Sequence, residues 1–277
     1  EDVIFHVYSA EGDASRFHTI IDVALLRNPD ILILVGTQLT DIGLGSRYKN
    51  SNQKVIATCI SDPEKVETLK SIGISPPRKK EIAILSDMPK QDAYEQAAET
   101  ISTILPFINN IAILYNKSEI NSQNTATRLA DSLKAKGKII IDAVISGEDD
   151  VPRIAANAIR QGAQLLVIPH DKYVIKHAVT LSKMGMESNP KVPVFALDDG
   201  TVKKDGAAFG VSVDYGLIGE LTAKTALSII AGKKPELMNV IQQEHASLII
   251  NRTTWTQLCL PNLNGDNIQL LKPIIVD

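Results

Sequence analysis

The sequence predicts an α/β protein of two doubly wound lobes, and three observations carry that expectation. Short β-branched runs alternate with longer amphipathic stretches along most of the chain, the pattern of strand–helix units. The runs are mostly apolar throughout rather than alternating, so they read as strands covered on both faces, as in parallel sheets. Ten such runs exceed one ordinary sheet. Their spacing breaks at 71–80 ("SIGISPPRKK") and near Pro106, dividing them into two sheets of about four to six strands.

Each element follows in order. Run 2–8 ("DVIFHVY") precedes a helix over 14–27 that Asp13 can cap. Run 31–35 ("ILILV") leads to run 54–60 ("KVIATCI"), a helix over 63–72 and run 81–85 ("EIAIL"). A helix over 90–105 precedes run 110–115 ("NIAILY"). The next helix, 121–136, stops at Gly137, where a C-terminal glycine belongs, and run 138–145 ("KIIIDAVI") follows. Helix 151–161 leads to run 164–168 ("QLLVI"), and helix 172–185 leads to run 192–197 ("VPVFAL"). Runs 208–213 ("AFGVSV") and 246–250 ("ASLII") flank a helix over 215–231.

A chain of 277 residues with 44% hydrophobic content can bury sizeable cores. A net charge of -3 with no basic face argues against a nucleic-acid partner, and the longest basic run, Arg78-Lys79-Lys80, reads as a solvated loop. Cys59 and Cys259 form neither a disulfide framework nor a zinc spacing; Cys59, inside an apolar run, reads as a buried free thiol. No apolar stretch approaches the roughly 18 residues of a membrane helix. No signal segment is visible, so the chain reads as cytosolic or as a processed secreted form.

Catalytic signatures are weak. The chain has no G-x-G-x-x-G after a strand, no phosphate-binding G-x-x-x-x-G-K-[ST], no H-E-x-x-H and no G-x-S-x-G. Its five histidines lack metal-ligand spacing, and the adjacent Asp198-Asp199 pair points apart in most backbones. Binding without chemistry is the better reading, with no catalytic residue, cofactor or metal expected.

In open parallel sheets ligands bind beyond the carboxyl ends of the strands. Those ends carry Thr37 with Gly36 and Gln38, Ser61 with Asp62, Ser86 with Asp87, His170 with Asp171, Asp198 with Asp199, and Asp214 with Tyr215. The richest is 113–133, "ILYNKSEINSQNTATRLADSL", which gathers Tyr115, Asn116, Ser118, Glu119, Asn121 and Ser122. Each site alone reads as a helix N-cap. Together they offer more hydrogen-bonding capacity than caps require and suit a small polar ligand, with helix N-termini favouring its anionic part.

The stretch "ILYNKSEINS" resembles a motif in solute-binding proteins of ABC transporters, in the branch that contains tryptophan and tyrosine importers. "LVGT", "ISDP", "IPHDKYV", "VFALDDGTV", "SVDYGLIGELTAKTALSIIAGKKPELMNV" and "LIINRTTWTQLCLPN" follow in the family's order, from about residue 3 to about 265. The resemblance implies the two-lobed periplasmic-binding-protein fold of type I, crossed three times by the chain. The first lobe would be 1–88 plus 214–234, and the second 89–213 plus 235–277. Thr37, Ser61, Asp62 and Asp87 would then face a solute from the first lobe. Tyr115, Asn116, Glu119, Asn121 and Ser122 would face it from the second, with Asp171, Asp198, Asp199 and Tyr215 at the rim or hinge. Tyr115 and Tyr215 are the expected stacking partners for an aromatic amino acid.

The implied function is capture of a small solute for an ABC permease at the membrane. The location would be periplasmic or extracellular, with lipid anchoring as one form. A ligand sensor of the same fold and a small-molecule lyase or isomerase are the alternatives. Lys117, Ile120 and Lys172 stand where the family usually has two prolines and an asparagine, which leaves the solute's identity open. The family's first strand and helix have no counterpart ahead of "DVIFHVYSAEGDAS". The first-lobe sheet is therefore expected to have a gap, and the protein to be a monomer, or a dimer if another copy fills that gap.

Overall fold

The computed structural model describes residues 3–11, 13–44, 53–60, 81–87, 89 and 92–277, with backbone alone at 14, 120 and 121. The strands are β1 (Ile31–Val35), β2 (Lys54–Ile60), β3 (Ile82–Ser86), β4 (Asn110–Asn116), β5 (Ile139–Ile145), β6 (Leu165–Ile168), β7 (Val194–Ala196), β8 (Phe209–Ser212), β9 (Ser247–Asn251) and β10 (Ile274–Val276). The first helices are α1 (Phe17–Leu26), α2 (Thr37–Ile42), α3 (Ala93–Ile104), α4 (Ile120–Ala135) and α5 (Val151–Arg160). They are followed by α6 (Lys172–Lys176), α7 (Ala178–Glu187), α8 (Asp199–Lys204), α9 (Tyr215–Ile230), α10 (Arg252–Gln257) and α11 (Asp266–Gln269). The expected helix over 63–72 and the Arg78–Lys80 run lie outside the described residues.

Two compact units divide the chain: Glu1–Lys90 with Asp214–Glu244, and Gln91–Val213 with His245–Asp277. Residues 235–244 were expected with the second lobe and fall instead in the first unit. The cause is backbone pairing to β3: Ile241 N–H donates to the Ile84 carbonyl at 2.9 Å, and Ser86 N–H donates to the Ile241 carbonyl at 2.9 Å.

In the first unit, β1, β2 and β3 form a parallel sheet in that order. Its side chains alternate between two apolar layers. Leu32, Leu34, Val55, Ala57, Ile82 and Ile84 pack with Ile21 of α1 on one face, while Ile56, Ala83 and Leu85 meet Ile229 of α9 on the other. β2 carries a register shift between Ala57 and Ile60, where Cys59 takes a left-handed φ of 56°.

Run 2–8 is not a strand over its described residues. Residues 3–8 join no strand among the described residues, and Val3, Ile4, Phe5 and Val7 are 56%, 78%, 73% and 87% exposed. A strand exists only by pairing, and its backbone groups otherwise turn to water. β1, the nearest strand in sequence, is an edge of the described sheet.

The second unit holds a seven-stranded sheet in the order β10-β9-β8-β7-β6-β4-β5, parallel except for the β8–β9 pair. Ile111, Ile113, Leu165, Val167, Phe195 and Phe209 face one helical layer, and Ala112, Leu114, Leu166, Ile168, Val194 and Ala196 face the other. Trp255 closes the first layer: its ring meets Phe209 edge-on at 5.6 Å, and its indole N–H donates to the Pro261 carbonyl at 2.7 Å. The neighbouring parallel strands β4, β6 and β7 therefore end side by side, which positions the loops considered next.

Candidate functional site

The carboxyl edge of β4, β6 and β7 is built around Asp171. This residue follows β6, is fully buried and caps α6, accepting from Tyr173 N–H at 2.9 Å and Val174 N–H at 3.1 Å. Its other oxygen accepts from Asn116 N–H at 2.9 Å and from the Ser122 hydroxyl at 2.5 Å. One carboxylate thus ties the end of β4 and the first turn of α4 to the start of α6. Asn116 N–H also approaches Ser122 Oγ at 3.1 Å, and Asn116 Oδ1 accepts from Ser118 N–H at 2.9 Å. Asn116 and Ser122 are buried as well. Much of the polar knot read from the sequence is therefore internal bracing.

Glu119 differs. It occupies the N-cap position of α4, yet its side chain caps nothing. Its backbone is held: its N–H donates to the Asn116 carbonyl at 3.1 Å, and its carbonyl accepts from Gln123 N–H at 3.0 Å. The carboxylate oxygen Oε2 is out of contact with water and has no hydrogen-bond partner among the described residues. Asn121 lies in the first turn of α4.

After β7, Asp198 caps α8, accepting from the Thr201 N–H at 2.8 Å and its hydroxyl at 2.9 Å. Asp199 pairs with Lys203 at 2.7 Å on the same helix. Tyr115 does not join the strand-end group. It shares the face of Ile111 and Ile113, packs against the core, and lines a groove of about 210 Å³ with Ala126, Ala130, Asp131, Lys134 and Asp142. Burial, and secondly the Asp142 charge, push its phenol above the usual tyrosine range.

In the first unit, Thr37 opens α2 after Gly36, whose φ of 98° turns the chain at the end of β1. Asp87 follows β3, with its N–H on the Ile60 carbonyl at 3.3 Å. Burial pushes the Cys59 thiol up, the Thr58 hydroxyl opposes this, and the Asp87 charge adds to it. Ser61 and Asp62 lie outside the described residues. Tyr215 is 44% exposed at the start of α9, which Asp214 caps through Leu217 N–H at 3.0 Å.

Sequence reasoning missed two polar features. Gln243 clamps the backbone of Asp214, accepting its N–H at 3.3 Å and donating to its carbonyl at 2.7 Å. Thr58 and Thr222 join hydroxyls at 2.8 Å between β2 and α9. No local pattern marks either, since the partners are 29 and 164 positions apart. The described residues group no three His, Cys, Asp or Glu side chains able to hold a metal ion.

Helix-flanked, mainly parallel sheets in two units, each built from two stretches of the chain, define a two-domain α/β architecture. Solved proteins share the fold. They include a conserved domain protein from Vibrio cholerae O1 biovar eltor (TM-score 0.72, 24% identity, 98% of this chain and 86% of that one). A ligand-free, open substrate-binding protein with adhesive properties from Clostridium difficile has a TM-score of 0.75 at 20% identity, covering 98% of this chain and 85% of that one. An ABC domain in complex with L-Trp from Streptococcus pneumonia has a TM-score of 0.72 at 18% identity, covering 97% and 86%. Among curated proteins, the tyrosine-binding protein of Clostridioides difficile (strain R20291) is 25% identical over 264 residues, 95% of this chain and 73% of that protein.

The ABC transporter substrate-binding protein family model matches residues 1–262, and the chain belongs to that family. The family's role is binding, and the match favours neither the sensor nor the lyase or isomerase alternative. No helix among the described residues is long and apolar enough to cross a membrane.

Proposed function

We propose that this protein captures a free amino acid, an aromatic one, outside the cytoplasmic membrane and delivers it to an ABC permease. The observation that carries this reading is the carboxyl edge of β4, β6 and β7, where a braced loop presents Glu119 with an unmatched carboxylate oxygen. The relatives named for tyrosine binding or solved with L-Trp support the aromatic class. Asn121, Asp198 and Asp199 belong to the proposed ligand-facing set of the second unit, and Thr37 and Asp87 to that of the first. Asn116, Ser122 and Asp171 support it from beneath.

A ligand that binds only the folded protein adds stability as RT ln(1 + [L]/Kd), about 2.7 kcal/mol at one hundred times Kd. A thermal-shift screen of the twenty amino acids and common monosaccharides is therefore expected to raise the melting temperature with tyrosine or tryptophan. No shift with any amino acid at millimolar concentration, or a shift with sugars alone, overturns the reading.

A further inference from the structure

The outer edge of β5 and the groove beside it form a surface that solute capture leaves unused. β5 is the last strand of the second-unit sheet. All seven of its residues pair with β4 on one side, and no strand among the described residues covers the other. The outward N–H and C=O groups of such a strand can pair with another extended segment. Ile139, at its start, is 61% exposed.

Side-chain alternation puts Ile140, Asp142 and Val144 on the α4 side of this strand. Ile140 packs in that layer, and Asp142 stands opposite Ile113 of β4. Asp142 thereby reaches the groove of about 210 Å³, room for about seven waters at about 30 Å³ each. The floor is apolar, made by Ile113, Ala126 and Ala130, and the rim is polar. The Asp142 carboxylate and the Tyr115 hydroxyl have no hydrogen-bond partner among the described residues. Lys134 meets Asp131 only at 4.0 Å, with both side chains more than half exposed, so that pair holds loosely. Two carboxylates against one ammonium leave the groove net negative. A charge in an edge strand guards against indiscriminate pairing, which accounts for Asp142 alone. It does not account for the space that Ala126 and Ala130 leave open above it.

The occupant's chemistry follows from these walls. An apolar floor under an anionic rim suits a side chain with an apolar stem and a cationic end. A guanidinium matches best, because its planar fork gives two N–H groups to a carboxylate and keeps others for the phenol oxygen. A second copy of β5 is a poor match. An antiparallel pair centred on Asp142 would set this carboxylate against its own copy, and like charges directly opposite destabilise a pair. We propose that β5 accepts an extended segment of a partner polypeptide as an eighth strand, with an arginine of that segment lying in the groove against Asp142 and Tyr115. Backbone pairing would supply affinity and the groove the choice of side chain. The surface belongs wholly to the second unit and does not depend on which solute the protein carries.

The test titrates the whole ¹⁵N-labelled chain with acetyl-Thr-Val-Thr-Arg-Thr-Val-Thr-amide and follows its amide NMR signals. In this peptide the arginine and its flanking valines share one face, as Asp142 shares one with Ile140 and Val144. The signals of β5, Ala126 and Ala130 are expected to shift. Asp142 is exposed, so Asp142→Asn leaves the fold intact. That variant loses a charge-assisted hydrogen bond and is expected to bind the peptide roughly 10- to 100-fold more weakly. A peptide with glutamate in place of the arginine, and a fully N-methylated form that cannot pair as a strand, are each expected to bind at least about 10-fold more weakly. No shift at millimolar peptide overturns the proposal. Equal binding by the glutamate peptide or by Asp142→Asn overturns the role of the arginine, and equal binding by the N-methylated form overturns strand addition. Ethylguanidine binding as tightly as the peptide makes the groove a site for a free small cation and overturns docking. Shifts of the β5 signals that grow with protein concentration in the absence of peptide assign the edge to a second copy and also overturn it.

Discussion

Asp171→Ala distinguishes a bracing carboxylate from a ligand-binding one. The side chain accepts four hydrogen bonds at 2.5–3.1 Å, three from backbone N–H groups and one from Ser122. It is fully buried, so water does not readily replace it. Each buried donor left unmatched costs about 1–3 kcal/mol, and the four share one acceptor, so their losses do not simply add. Breaking a buried charged network at one partner typically costs about 3–5 kcal/mol, and that is the expected loss. Asp171→Asn can keep the α6 cap but turns an amide N–H toward the Asn116 N–H, and is expected to lose about 2 kcal/mol.

The assay is urea unfolding followed through Trp255, the chain's single tryptophan, which lies in the core of the same unit as Asp171. A local probe is needed because a chain of two units need not unfold in one step. The midpoint is expected to fall with little change in slope. A loss below about 1 kcal/mol for the alanine variant, accompanied by loss of amino-acid binding, would refute the bracing role and return Asp171 to the ligand.

Two further predictions concern stability and association. Burial pushes the Lys138 ammonium below the ordinary lysine range, although its Nζ donates to the Ile108 carbonyl at 2.6 Å. The unfolded chain therefore binds this proton more tightly. Stability should rise with pH from the lowered folded value up to the ordinary value of about 10.4, and the rise should flatten in Lys138→Met. Denaturation curves across alkaline pH check this, and equal slopes in the two proteins would refute it. In the first unit, Val3, Ile4, Phe5 and Val7, which are 56–87% exposed, leave roughly 4–9 kcal/mol of apolar burial unrealised, at about 1.5–3 kcal/mol per fully buried side chain. Such an exposed apolar run should drive concentration-dependent self-association, suppressed by Ile4→Lys with Phe5→Lys; light scattering showing a monomer throughout would sink the idea.

Legibility in the sequence followed the range of the interactions. β1 and β2 begin and end where their apolar runs do, because a continuous β-branched run carries its own boundaries. Run 2–8 is also rich in β-branched residues, yet residues 3–8 join no strand among the described residues, since pairing is not a local property. The helix expected over 172–185 is two helices, α6 and α7, meeting at His177. Short α8 and α10 escaped because a single turn or two shows no periodicity, and β10 because its three residues join the sheet through β9 alone. Tyr115 could have been placed. Alternation from Ile111 and Ile113 puts it on the core face, whereas Asn116 turns the other way. The bracing of the polar loop could not, because Asp171 lies 49 positions from Ser122 and 55 from Asn116.

The acidic residues at helix starts carry the remaining argument. Asp92, Asp171, Asp198 and Asp214 each precede a helix and each accept from its first N–H groups. Asp150 precedes α5 without capping it, but its carboxylate is engaged by Arg153 at 2.6 Å. Each of these five carboxylates has a donor that explains it: four start a helix and the fifth holds an arginine. Glu119 holds the equivalent position before α4 and has neither a cap bond nor a cation for Oε2. One more methylene than aspartate carries its carboxylate farther from the helix start. The polar strand ends therefore contain carboxylates of one chemistry in two settings, and the donors around each separate the helix-starting aspartates from Glu119.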